Sequence, residues 1–133
     1  MKRTIDELLE MPYWIVDILP KQVPADSPGQ YFAVEEYYLT EPRLSAVKQK
    51  HIDLLLKLNC YRSVVMDEET EPNPPPEKIA EAMRVRYVTF MTEEALIVSQ
   101  PDETWLTVFH PDDALLELIR TLAKGEGLYV WQP

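Results

Sequence analysis

His51, His110 and Cys60 are the only soft ligands in the 133-residue sequence. A structural zinc site needs four ligands in a tetrahedron, so carboxylates would have to complete it, and these three positions follow no recognised metal spacing. The sequence predicts no metal and no cofactor. His51 and Cys60 are about two and a half helical turns apart, which keeps them off a common face and excludes a local cysteine–histidine dyad. Cys60 reads instead as a small core hydrophobe. His51 follows Val47 by one helical turn on an apolar stripe, the place of a packed, hydrogen-bonded core histidine. His110, just before Pro111, reads as a residue that helps the chain turn into a helix. No serine sits in a nucleophile elbow, and with only three glycines there is no loop to cradle a phosphate. These exclusions favour a non-catalytic protein.

Carboxylates are abundant, so a pair means little without a face to share. Asp17 interrupts an apolar run, and a carboxylate in a central strand must be paired or placed at a functional cleft. If Tyr31 to Leu39 is a strand, Glu35 and Glu36 point to opposite sides and cannot work as a close pair, while Glu35 shares its face with Tyr37. Trp131, beside Tyr129, could complete a core or anchor an interface. The candidate binding residues are therefore Asp17, Glu35, Tyr37, His51 and Trp131, with no catalytic residue among them.

The elements that must position these residues follow from periodicity and punctuation. Thr4 and Glu7 have capping-box spacing and open a short helix to about Glu10. Pro12 stops it, and Tyr13 to Leu19 has the length and composition of a buried strand. Four Pro and Gly residues between Pro20 and Gln30 dictate a loop. The alternation from Tyr31 to Leu39 predicts a second strand. Leu44, Val47, His51, Ile52, Leu55 and Leu58 recur at three- and four-residue steps, so a long helix runs from Pro42 to about Asn59. Ser63 to Met66 predicts a short strand before the acidic run Asp67, Glu68, Glu69 and Glu71. Pro72 and Pro74 to Pro76 then form an extended spacer, followed by two helical turns from Glu77 to about Met83.

Three strands at Val85 to Met91, Ala95 to Ser99 and Thr104 to Phe109 have meander spacing. Pro111 opens a last helix whose apolar stripe is Leu115, Leu118, Ile119 and Leu122, and Gly125 ends it. Leu128 to Trp131 can add a final strand. The expected architecture is a single α+β domain over residues 1–133: an antiparallel or mixed sheet of about six to seven strands, two main helices (about 43–59 and 111–123) on one face, and a surface excursion at about 67–84.

Composition limits what such a domain can do. No apolar run reaches the roughly 20 residues a membrane helix needs, and Asp6, Glu7 and Glu10 stand where a signal peptide would be uncharged. With a single cysteine available, this predicts a soluble cytoplasmic protein. The net charge of −10 opposes binding to nucleic acid or to an anionic membrane. Residues 1–66 carry 8 basic and 9 acidic side chains, so the second half, with 5 and 14, holds a charge of −9. That asymmetry predicts a protein-interaction or regulatory module that binds a basic partner by electrostatic complementarity. The alternative is a small-ligand pocket built from Asp17, Glu35, Tyr37 and His51. Self-association through an edge strand or the Tyr129 and Trp131 end is a further expectation.

Overall fold

The computed structural model describes residues 3–133. Thr4 caps α1 (Ile5–Leu8) by the expected reciprocal pair: its hydroxyl accepts from the Glu7 N–H at 3.1 Å, and the Glu7 carboxylate accepts from the Thr4 N–H at 3.0 Å. After β1 (Tyr13–Asp17) the chain is irregular to residue 30, then forms α2 (Tyr31–Leu39) and α3 (Arg43–Asn59). The remaining elements are β2 (Val65–Met66), α4 (Pro76–Val85), β3 (Val88–Thr92), β4 (Ala95–Ser99), β5 (Leu106–Phe109), α5 (Asp113–Gly125) and β6 (Tyr129–Trp131). No helix of the described residues is long and apolar enough to cross a membrane.

The fold is α+β, with one antiparallel sheet in the order β2-β3-β4-β5-β1-β6. The predicted meander is its centre, and β1 is inserted between β5 and β6. Directly opposed residues in an antiparallel pair share a face, so the registers divide the strands into two sets. Val16, Leu106, Val108, Ile97, Phe90 and Met66 face one way. There they join the buried stripes of α3 and α5 in the main core, which includes Ile52, Leu55, Leu58, Leu115 and Ile119. Asp112 starts α5 as a true cap, its carboxylate accepting from the Leu115 N–H at 2.7 Å.

The segment at 67–84 does not stay on the surface for its whole length. α4 lays Ile79, Ala82 and Met83 into the main core as a third covering helix. Asn73 anchors its approach, because the Asn73 carboxamide oxygen accepts from the Val64 N–H at 2.9 Å and from Asn59 Nδ2 at 2.8 Å.

The predicted strand over Tyr31 to Leu39 is instead the helix α2. Its apolar residues surround the axis rather than alternate, none of them is buried, and Phe32, Val34 and Tyr37 are exposed. A one-turn contact steadies it, the Tyr31 hydroxyl donating to Glu35 Oε2 at 2.9 Å. β1 pairs with β5 and β6 instead. Val85 likewise ends α4 rather than opening β3.

Candidate functional site

The second face of the sheet carries Tyr13, Ile15 and Asp17 from β1, Thr107 and Phe109 from β5, Leu96 and Val98 from β4, Met91 from β3, and Trp131 from β6. α1 covers only part of it. Leu8 packs on Leu96 and Phe109, with Ile5, Met11, Met91 and Val98 around them. Beyond Phe109 the helix end reaches the open part of this face only with Leu9, and the irregular chain after β1 flanks it. The result is an open cavity of about 630 Å³. Tyr13, Ile15, Asp17, Thr107, Phe109 and Trp131 contribute from the strands, while Leu19, Lys21, Gln22, Val23, Tyr31 and Trp105 contribute from the flanking chain.

One hydrogen bond ties the cavity's walls together, and a second orients a lining side chain. Trp131 Nε1 donates to the Leu19 carbonyl at 3.1 Å, joining the last strand to the chain that leaves β1. Tyr31, at the start of α2, lines the cavity and donates to Glu35, which sits behind it. Asp17, Tyr31 and Glu35 also meet at a small adjoining recess with Ile18, Leu19, Val34 and Thr104.

Asp17 is the chemically distinctive member. It is only 8% exposed, and no Lys, Arg or His among the described residues pairs with it. Its Oδ1 accepts from the Ile18 N–H at 2.7 Å. Burial holds the Asp17 carboxyl above the usual carboxylate range, the backbone N–H groups of Ile18 and Leu19 oppose this, and the Glu35 charge adds to it. The Tyr31 hydroxyl is pushed up to about 12, first by burial and then by its bond to Glu35. The site thus sets one buried carboxyl and one hydrogen-bonded tyrosine hydroxyl beside aromatic walls.

Of the residues singled out from sequence, Asp17 and Trp131 line the cavity and Glu35 stands one side chain behind it. Tyr37 lies elsewhere, exposed on α2 with the Arg43 guanidinium 3.7 Å from its ring centroid. His51 is fully buried on α3 and lines no part of the cavity. It is packed as expected, but neither ring nitrogen makes a hydrogen bond of ordinary geometry, the Thr104 backbone lying only close enough to favour the charged form. Burial and the nearby Lys48 charge push the His51 imidazole down to about 3, a shift that the Thr104 backbone opposes. Lys48 is itself buried, donating to the Gln100 carbonyl at 2.6 Å and to that of Glu103 at 3.4 Å. Burial lowers the Lys48 ammonium to about 8, against the pull of Glu103 and Asp102.

Cys60 is not a core residue either. It caps the end of α3 and is exposed, because the helix stripe ends at Leu58 and turns Cys60 outward. His110 does occupy the turn, at φ 57° between β5 and α5, with its N–H donating to the Pro12 carbonyl at 3.0 Å. Among the described residues, no three His, Cys, Asp or Glu side chains converge as a metal site.

Sequence reasoning missed Tyr13, Tyr31, Trp105, Thr107 and Phe109. The period-two set Tyr13, Ile15 and Asp17 was the available signal, with Thr107 and Phe109 as its counterpart. A period-two face that mixes aromatic, aliphatic and polar residues is neither ordinary core nor ordinary solvated surface. No family model matches the chain, and it has no significant match among curated proteins or solved structures.

Proposed function

We propose that this chain is a non-catalytic binding domain whose site is the aromatic cavity on the open face of its sheet, and whose ligand is a small, largely apolar organic molecule. The observation that carries this reading is the cavity itself. Its volume of about 630 Å³ falls within the range of roughly 300–1,000 Å³ in which proteins hold small ligands. Aromatic walls with a few fixed polar groups are also the usual composition of such sites. We take the domain to act in the cytoplasm, a location that the single exposed thiol of Cys60 supports.

Trp105 and Trp131 line the cavity, so their fluorescence reports occupancy directly. Small aromatic ligands should change that emission saturably, and Trp131→Ala should weaken their binding by about tenfold or more, as loss of a large aromatic contact does. Ligands that leave the emission unchanged and bind both proteins equally would overturn the reading.

A second reading, docking to a basic protein, is favoured by a separate group of charges. Glu68, Glu71, Glu77 and Glu81 are exposed around the start of α4 and enter no ion pair among the described residues. Such a surface would speed association with a cationic partner at low salt. The association rate with a co-purifying basic protein should then fall steeply between about 50 and 500 mM salt, as the screening length shortens. A rate indifferent to salt would remove this reading.

A further inference from the structure

We propose that the ligand carries a protonated nitrogen, an amine on an aromatic or aliphatic stem, and that Asp17 receives it at the base of the cavity. The inference rests on the cavity being a ligand site and names the chemistry that the site selects. Asp17 is more than nine-tenths buried yet lines an open cavity, and no cation among the described residues forms an ion pair with it. A carboxylate withdrawn from water without a counter-charge is costly. A structural aspartate would be expected to carry an internal cation or a fuller set of N–H donors.

Lys21 lines the same cavity, but its side chain is exposed and forms no ion pair with Asp17. The Glu35 carboxylate lies near enough to act on Asp17 and adds a second negative charge to this end of the cavity. The Tyr31 hydroxyl, which lines the recess with Asp17, is directed to Glu35. No side chain among the described residues donates to Asp17, which leaves acceptor capacity for a donor on a ligand.

The walls suit a cation as well. Tyr13, Tyr31, Trp105, Phe109 and Trp131 surround the space in which the stem would lie. Aromatic faces attract an ammonium group while their area shields its stem from water. A carboxylate-bearing ligand meets the opposite conditions, two negative charges and one solvated lysine. A neutral ligand gains the walls but leaves Asp17 uncompensated.

The test is a fluorescence titration of the full chain with 2-phenylethylamine, 2-phenylethanol and phenylacetate, molecules alike in size that differ in the polar group. At pH 7.5 the amine should bind about tenfold or more tightly than the alcohol, the margin expected of a charge-assisted hydrogen bond in a half-closed site. Phenylacetate should bind most weakly. The preference for the amine should fade as the pH is lowered and Asp17 takes up a proton, with alcohol binding little changed.

Asp17→Asn should bring the amine down to the affinity of the alcohol. The wild-type pH series tests the same point without a variant, should that substitution disturb the fold. Amine and alcohol binding alike would overturn the amine inference and leave the ligand-binding reading standing. Failure of all three to bind would overturn both. A short peptide bearing lysine that binds tenfold better than 2-phenylethylamine would also overturn the assignment of a free amine, because the occupant would then be a side chain of a partner protein.

Discussion

Phe90→Ala should lower the free energy of unfolding by about 3–5 kcal/mol, whereas Phe32→Ala should change it by less than about 0.5 kcal/mol. Both phenylalanines sit in apolar stretches that read as strands, and only their place in the fold separates them. Phe90 is in β3, fully buried, opposed to Met66 on one side and Ile97 on the other. Removing its ring leaves a cavity beneath the helices that the surrounding close-packed side chains cannot fill by relaxing. Phe32 is 80% exposed on α2, with its ring beside that of Tyr31. Equilibrium denaturation in urea, with the slope checked for constancy, measures both. A Phe32→Ala cost as large as that of Phe90→Ala would mean that α2 is packed into the core.

Acidification should destabilise the protein through His51. The imidazole is held neutral in the fold, pushed down to about 3, while in the unfolded chain it titrates near its ordinary value of about 6.5. The unfolded state therefore binds more protons between those values. The stability that follows from burying a neutral histidine is fully present above pH ~6.5 and is lost as the pH falls towards ~3, at up to roughly 1.4 kcal/mol per pH unit.

Asp17 acts in the opposite sense. Its raised carboxyl favours the protonated form in the fold, so acid removes a cost there, and the net slope is smaller than that of His51 alone. His51→Leu isolates the histidine. The leucine side chain has similar volume and no nitrogen to leave unpaired, so the variant should be at least as stable as wild type at pH 7 and should lose most of the decline between pH 6.5 and 4. Thermal unfolding of the two proteins across that range decides it. Parallel pH profiles would place the acid sensitivity in other groups.

The two predictions mark where sequence and structure diverge. Period and punctuation were enough for the long elements. The 3.6-residue stripe from Leu44 to Leu58 became α3, α5 began at the Asp112 cap just after Pro111 and ended at Gly125, and the closely spaced strands at 88–109 paired as a meander. Each of these signals is local, because a stripe or an alternation records which side of the element meets the core. α2 lacked such a signal. Its aromatic residues face all directions, so neither period governs, and a nine-residue stretch with no buried side chain is decided by the neighbours it is given.

The cavity depended on contacts that no local pattern encodes. The composition of the sequence determined the acidity, the single thiol and the scarcity of glycine, and the position of Asp17 in an apolar run gave the conditional statement that a carboxylate in a central strand must be paired or stand at a cleft. Only the tertiary structure decided between those options. β1 was inserted between β5 and β6, from far along the chain, which brought Trp131 and Phe109 to either side of Asp17's strand. The helices all gathered on the other face apart from α1 and the flanking α2, so the second face stayed partly open. Strand order is fixed by the sum of long-range packing, and a residue's neighbours across a sheet carry no trace in its neighbours along the chain. That is why Asp17 and Trp131 could each be singled out from the sequence while their meeting at one aromatic cavity could not.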